Sequence, residues 1–202
     1  MRKWIVVPFI LIGFAVLQAC APKEQSDCGF VQNVYGERIS WKGQIPVVLH
    51  LHSSVPDLYR EAIQSAANTW NQRAGKVIFQ VSSQKLGGQP DGRDRINMIS
   101  FSPTWESSKM SEQAKTTVHW VGDQIQEADI RVNNSSVFSY YAGASAGTTG
   151  VNMEALILHE MGHVLGLKHN DKPTSVMQTY LANNSDRTEL GPDDGHNLQC
   201  EY

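Results

Sequence analysis

The chain has 202 residues, of which 41% are hydrophobic and 18% are charged, and its formal net charge is -3. This composition is ordinary for a soluble globular protein, and the length is sufficient for one hydrophobic core, so we expect one folded domain. No long run of Lys and Arg occurs, which excludes the basic surface that a nucleic-acid-binding protein needs.

The first residues have the pattern of an export signal. Arg2 and Lys3 provide a positive start, residues 4–17 form an apolar stretch, and residues 17–20 read Leu-Gln-Ala-Cys. The apolar stretch is shorter than the roughly 18 to 20 residues of a membrane-spanning helix. We therefore predict that residues 1–19 are a signal peptide that is removed, and that the protein acts outside the cytoplasm.

Residues 17–20 resemble the lipobox of bacterial lipoproteins, in which cleavage falls just before a Cys that then carries the lipid. The resemblance implies that Cys20 becomes a lipidated N-terminus and anchors the protein to a bacterial membrane. The absence of Asp after Cys20 is typical of outer-membrane sorting, where the organism has two membranes. Gln18 stands where lipoproteins usually have a small or β-branched residue, so a secreted protein is the alternative.

The cysteine count agrees with the lipoprotein interpretation. Three cysteines in an oxidising compartment leave an odd thiol unless one of them is otherwise engaged. If Cys20 carries the lipid, Cys28 and Cys200 remain as a pair, and we predict a disulfide between them. It would close nearly the whole domain and stabilise it by about 3 to 5 kcal/mol.

The first half of the chain predicts an arm, a strand and a helix. Residues 20–44 are polar and aperiodic, and we interpret them as the lipidated N-terminus, a tether and an N-terminal arm before a domain at residues 45–202. The aliphatic run at residues 45–51 predicts a strand. Ser54, with an acid three residues later, predicts a helix start, and Gly75 predicts the helix end. The inward stripe of this helix comprises Leu58, Ala62, Ile63, Ala66, Ala67 and Trp70.

The second half predicts more strands and two further helices. Strand-like runs occur at residues 77–81, 96–101, 116–121 and 128–132. Residues 141–150 form a Gly, Ala and Ser loop, after which Asn152 can cap an apolar helix at residues 155–165. A short helix is predicted near residues 193–199. This order of elements predicts one α/β domain with helices packed on a sheet.

The second predicted helix carries the residues with metal-site spacing. His159 and His163 lie one helical turn apart, so both imidazoles can point at one ion. Catalytic zinc commonly takes three protein ligands and leaves one position open, and the turn predicted at Gly166 would return His169 to the ion. Three neutral histidines leave the charge on zinc, which lowers the pKa of its water toward about 7. Glu160, about 100° around the helix, is then the general base for amide hydrolysis.

Residues 159–169, HEMGHVLGLKH, match the H-E-x-x-H-x-x-G-x-x-H pattern of the metzincin zinc peptidases at every fixed position. Met177, eight residues after the third His, resembles the metzincin Met-turn, and residues 127–130 and 190–200 resemble segments of the matrixin branch. The resemblance implies an α/β fold of the metzincin type. Such a fold has a twisted mixed sheet with an antiparallel edge strand, two long helices and a short C-terminal helix.

On this resemblance, residues 45–202 form a monomeric catalytic domain that binds Zn²⁺ and holds a peptide or protein substrate along the edge strand Thr116–Val121. Membrane contact would be made through the lipid anchor. Asn170 stands where matrixins usually have Ser, so another metzincin branch stays open. Many relatives bind Ca²⁺, but no acidic loop of the D-x-[DN]-x-[DN]-G kind is present. The alternative function is a non-catalytic zinc-binding lipoprotein that binds a partner, against which the intact Glu160 argues.

Overall fold

A computed structural model describes residues 25–143 and 149–202 of the chain. The predicted signal peptide, the predicted lipidation site Cys20 and the middle of the predicted Gly, Ala and Ser loop therefore lie outside the described residues. Within the described ranges, no helix is long and apolar enough to cross a membrane.

A five-stranded mixed sheet forms the centre of the domain. Its strands are β1 (Val47–His52), β2 (Phe79–Leu86), β3 (Asn97–Ser102), β4 (Ala114–Val121) and β5 (Gln124–Asn133). Their order is β2-β1-β3-β5-β4, with parallel pairing throughout except for β4, which runs antiparallel to β5 at the edge. The predicted α/β fold with a mixed sheet and an antiparallel edge strand is thus confirmed. A separate parallel pair joins β6 (Tyr140–Tyr141) to β7 (Val151–Asn152).

Two long helices and one short helix complete the fold, as predicted. They are α1 (Arg60–Ala74), α2 (Met153–Val164) and α3 (Pro192–Leu198). The helix α2 packs against α1 and against β4 and β5, and α1 itself packs against β2, so both helices lie on the sheet. The indole nitrogen of Trp70 on α1 donates a hydrogen bond of 2.9 Å to the Leu158 carbonyl on α2. This bond fixes the two helices against each other beneath the predicted metal motif.

The first helix begins later than its sequence pattern indicates. A 3₁₀ turn at Asp57–Tyr59 precedes α1, and the Ser54 hydroxyl accepts the Phe101 backbone N–H instead of capping the helix. The predicted inward position of Leu58 is wrong, since this side chain is 64% exposed. A 3₁₀ turn places successive side chains at angles that differ from those of an α-helix. The remaining members of the predicted stripe are all buried: Ala62, Ile63, Ala66, Ala67 and Trp70.

Strand β2 also differs from its predicted range. Val77 is exposed and lies outside the strand, whereas the polar residues that follow Val81 continue it as far as Leu86. The strand is extended by its parallel pairing with β1, which reaches Lys85 and Leu86 after an irregularity in register. Backbone hydrogen bonding to a neighbour can thus prolong a strand beyond its apolar run.

The N-terminal arm belongs to the same core as the rest of the domain. Phe30 and Trp41 are buried, and the Trp41 indole nitrogen donates a hydrogen bond of 2.9 Å to the Val164 carbonyl at the end of α2. Cys28 and Cys200 form a disulfide with their Cα atoms 6.4 Å apart. A shared core that reaches from the arm to α3, closed by this bond, makes the chain from residue 25 onward one folding unit.

Candidate active site

Helix α2 presents His159, Glu160 and His163 toward the edge of the sheet. Its start is capped as predicted, because the Asn152 side chain accepts the backbone N–H groups of Glu154 and the following residue, at 3.0 and 3.3 Å. All but two of the twelve residues in α2 are buried. The helix is therefore a fixed support for the side chains of the motif.

Gly166 ends the helix and redirects the chain. Its φ of +98° lies in the region that favours glycine, and a Cβ at this position would collide with the carbonyl oxygen of Ile39. The turn brings the exposed His169 back beside His163, as the sequence predicts. No other residue type fits this turn without displacing the arm.

The three histidines direct their Nε2 atoms at a common point. The distance from His163 Nε2 is 3.1 Å to His159 Nε2 and 3.2 Å to His169 Nε2. Tetrahedral zinc with ligands at 2.0 to 2.1 Å requires about 3.3 Å between ligand nitrogens. Within the described part of the chain, these residues form the only group of three or more His, Cys, Asp or Glu side chains that could hold a metal ion.

Hydrogen bonds to the Nδ1 atoms of two of these histidines determine which ring nitrogen carries the proton. The Nδ1 atom of His159 lies 2.8 Å from the Val176 carbonyl, and that of His163 lies 2.7 Å from the Leu167 carbonyl. A carbonyl can only accept, so Nδ1 carries the proton and the Nε2 lone pair points into the cluster. Burial lowers the pKa of both imidazoles to about 4, so both are neutral at pH 7. Neutral, converging imidazoles are a donor set that fits zinc.

Glu160 lies beside the cluster without belonging to it. The carboxyl is 4% exposed, and its Oε2 accepts a hydrogen bond of 2.5 Å from the Thr116 hydroxyl on β4. Burial is the largest influence on this carboxyl and raises its pKa, while His163 and the Thr116 hydroxyl act in the opposite direction. A carboxylate held in this way is a stronger base than an exposed one.

Met177 packs against helix α2 from the turn that the sequence assigns to it. The side chain is buried and packs so closely on Gly162 of α2 that a Cβ there would collide with the Met177 sulfur. The glycine in this otherwise variable position of the motif is thus required by the Met177 packing. The turn also supplies the Val176 carbonyl that orients His159.

Asp194 holds this turn, a role that the sequence did not reveal. We predicted only a short helix near residues 193–199, yet Asp194 in that helix is fully buried. It accepts the Ser175 hydroxyl at 2.5 Å and the Val176 backbone N–H at 2.9 Å. The adjacent acid, Asp193, instead pairs with Lys172 at the surface. Two neighbouring acids at a helix start carry no local signal of which one turns inward.

A cleft of about 690 Å³ passes over the cluster and along the edge strand. Its floor includes Glu160, and β4 lines it from Ala114 to Trp120. The opposite wall is the segment that follows Met177, which Gln113 ties to the start of β4 through a hydrogen bond of 3.0 Å to the Leu181 carbonyl. The cleft is open along an edge where β4 has a sheet neighbour on one side only.

The remaining predicted site residues are the three cysteines. Cys28 and Cys200 are joined, as described above, and Cys20 lies outside the described residues. Within the described ranges, no other group of three or more His, Cys, Asp or Glu side chains is placed to hold a metal ion, and Ca²⁺ binding stays a prediction. Two residues of the site were not predicted from the sequence. Thr116 contacts Glu160, and Gln113 bonds the segment that forms the opposite wall of the cleft.

Comparisons with known proteins agree with this site. The matrixin family model matches residues 41–202. Matrilysin of Felis catus is 45% identical over 54 residues, or 26% of this chain and 21% of that protein. Matrix metalloproteinase-25 of Homo sapiens is 25% identical over 150 residues, 71% of this chain and 25% of that protein. Matrix metalloproteinase-19 of Homo sapiens is 27% identical over 157 residues, 77% of this chain and 28% of that protein.

The chain spans about a quarter of the length of these relatives. The family match nevertheless covers most of the chain, including the edge strand, the histidine cluster and the last helix. The chain therefore belongs to the matrixin family of zinc metalloendopeptidases.

Proposed function

We propose that this matrixin is an active zinc endopeptidase in which His159, His163 and His169 bind the metal and Glu160 is the general base. The observation that carries the proposal is the convergence of three imidazole nitrogens beside a buried carboxylate that does not belong to the cluster. A site that only stored metal would have no use for this separate base. The intact Glu160 therefore favours catalysis over the alternative of a non-catalytic zinc-binding lipoprotein.

Glu160 would transfer the proton in both halves of the reaction. When bound, zinc would supply a Lewis acid that polarises the scissile carbonyl and acidifies the attacking water. The Glu160 carboxylate takes the proton of that water and passes it to the leaving nitrogen. Thr116 orients the carboxylate by its hydrogen bond, and burial makes the carboxylate basic enough for the first transfer. Met177 acts as the apolar floor beneath the ligands.

The edge strand would hold the substrate. β4 pairs with β5 on one side, and its other side borders the cleft, so an extended peptide can add to the sheet there. Leu156 and Leu181 line the cleft near His159 and offer apolar contact to a substrate side chain. The relatives named as matrix metalloproteinases support a protein substrate for this chain.

For its location, we infer a monomer outside the cytoplasm that is held to a bacterial membrane by a lipid on Cys20. The export pattern in residues 1–19 and the lipobox resemblance support this inference. Mass spectrometry of the N-terminus after membrane extraction tests it directly. A lipid mass on Cys20 is the expected result, and an unmodified N-terminus in the culture medium would identify a secreted protein instead.

Proteolysis of a denatured generic protein tests the enzymatic proposal. Four samples are compared with the wild type: Glu160→Gln, His163→Ala, a chelator-treated wild type, and the matched control Glu61→Gln, which changes an exposed carboxylate on α1. We expect loss of cleavage in the first three and wild-type cleavage in the control. Zinc analysis should give one ion per chain in Glu160→Gln and none in His163→Ala.

Two results would overturn the proposal. Cleavage by Glu160→Gln at the wild-type rate would remove Glu160 from the reaction. Stoichiometric zinc without cleavage of any tested protein by the wild type would favour the binding protein.

A further inference from the structure

Two neighbouring turns carry a concentration of exposed apolar side chains. Among the described residues, nine large apolar side chains are exposed, and five of them lie on the arm turn and at the end of β4. The side-chain amide of Asn33 donates a hydrogen bond of 3.2 Å to the Gly122 carbonyl, and this bond joins the two turns. We name the four residues outermost on these turns the apolar tip: Val34, Tyr35, Trp120 and Val121.

The apolar tip is unlike the scattered apolar residues of an ordinary surface. Val34 is 93% exposed and Val121 is 74% exposed, at the ends of turns where polar residues are usual. Single exposed apolar side chains need no explanation, but a contiguous group of them marks a contact surface. Tyr35 and Trp120 add aromatic rings, which prefer the boundary between a bilayer and water.

The chain that leads to the predicted lipid emerges beside the same turn. The Gln25 backbone N–H donates a hydrogen bond of 3.2 Å to the Gly36 carbonyl. The Gln32 side chain donates one of 2.8 Å to the Gln25 carbonyl. Cys20 is only five residues before Gln25, a distance that an extended chain covers in about 18 Å. A lipid on Cys20 would therefore bring this end of the domain to the membrane surface.

We propose that the apolar tip is a second membrane contact, inserted into the interfacial region of the bilayer next to the lipid anchor. The nearby cations do not point to an electrostatic contact, because Lys42 already pairs with Asp123 and Glu201, and Arg38 also pairs with Glu201. The contact is thus apolar, suits a zwitterionic surface and depends little on salt.

Insertion of the apolar tip would fix the direction of the cleft. Trp120 lies four residues beyond Thr116 along β4, which corresponds to about 13 Å along the strand from the residue that contacts the general base. One end of the cleft would then start at the membrane surface, and the site would face proteins that lie close to it. This inference rests on the proposed lipid anchor but does not require catalysis.

Tethered vesicles test the contact without relying on natural lipidation. The chain from residue 21 onward, which contains the whole folding unit, is attached through an N-terminal hexahistidine to nickel-chelating lipid in phosphatidylethanolamine–phosphatidylcholine vesicles. Brominated acyl chains in these vesicles quench tryptophan fluorescence at the bilayer interface. The difference between wild type and Trp120→Phe isolates the Trp120 signal. Because the tether replaces the lipid on Cys20, failure of the lipidation proposal leaves this test intact.

A matched pair of double variants gives the decisive comparison. Val34→Asp/Val121→Asp charges the apolar tip, whereas Val77→Asp/Val137→Asp makes the same change at two valines exposed elsewhere. We expect quenching of Trp120 in the wild type and in the second variant, and loss of quenching in the first. Cleavage of a soluble peptide should be unchanged in Val77→Asp/Val137→Asp, whose valines lie outside the cleft and the edge strand.

Three outcomes would overturn the proposal. No quenching of Trp120 in the wild type would show that the apolar tip stays in water. Equal quenching in the two double variants would show that these side chains do not make the contact. A raised KM for a soluble peptide in Val34→Asp/Val121→Asp, with quenching unchanged, would assign the surface to the substrate.

Discussion

Removal of the Cys28–Cys200 disulfide should lower the stability of the domain without changing its active site. The cysteines are separated by 172 residues, so the bond closes almost the whole folded chain. The loop-entropy relation for this length gives about 5 kcal/mol, which acts mainly on the unfolded state. Other contacts also hold the ends together, including Arg38 with Glu201 at 2.5 Å and Lys168 with Asp27 at 2.7 Å. The folded state should therefore persist when the disulfide is absent.

Urea unfolding of Cys28→Ser/Cys200→Ser measures this effect. With a slope of about 2 kcal/mol per molar urea, the midpoint should fall by about 2.5 M, while kcat/KM at 25 °C in the absence of urea stays at the wild-type value. A reducing agent should shift the wild type by the same amount and leave the variant unchanged. An unchanged midpoint would refute the reasoning, and a loss of activity at full folding would show that the bond shapes the site.

Three further changes test the packing and electrostatics of the sheet and of the site. Asp129 is buried, and burial raises its pKa from 3.8 to about 7, so its ionisation should cost stability as pH rises from about 4 to 7. We expect Asp129→Asn to remove this slope and to be about 2 to 4 kcal/mol more stable than the wild type at pH 8, measured by urea unfolding. Gly162→Ala should destabilise the folded domain by about 1 to 3 kcal/mol and reduce bound zinc, because the new methyl group displaces Met177. Thermal unfolding and zinc analysis measure these two effects. Thr116→Val should lower kcat/KM at pH 7 about tenfold and shift the acidic limb of the pH profile upward, because it removes a hydrogen bond that lowers the pKa of Glu160.

For each of these variants, one result would contradict the prediction. A stability profile of Asp129→Asn parallel to the wild type would mean that this carboxyl ionises freely in the folded state. Wild-type stability and zinc content in Gly162→Ala would show that the Met177 turn can move without cost. An unshifted acidic limb in Thr116→Val would separate this hydroxyl from the general base; Thr117→Val, an exposed neighbour on the same strand, is the control.

Local spacing in the sequence was enough to predict which histidines come together. His159, Glu160 and His163 lie within about one turn of a helix whose geometry is known in advance, so their relative directions follow from residue number. His169 required one more step, the turn that Gly166 can make. The apolar stripe of the first helix and the Asn152 cap were likewise local, and both were found.

Local patterns failed where a distant residue competed for the same group. Ser54 has the spacing of a helix cap, but its hydroxyl binds the backbone of Phe101, 47 residues away, and the helix starts later. Strand β2 continues through polar residues because β1 provides its hydrogen-bond partners. A sequence window contains neither partner, so neither boundary could be predicted from it.

The sequence by itself determined the zinc motif, the α/β order and the pairing expected of Cys28 and Cys200, because each rests on spacing or on counting. Only the tertiary structure decided what supports the motif. Thr116 reaches Glu160 across 44 residues, and Asp194 reaches Val176 across 18. Such contacts depend on how the sheet and helices pack, and side-chain partners brought together by packing leave no periodic signal in the chain.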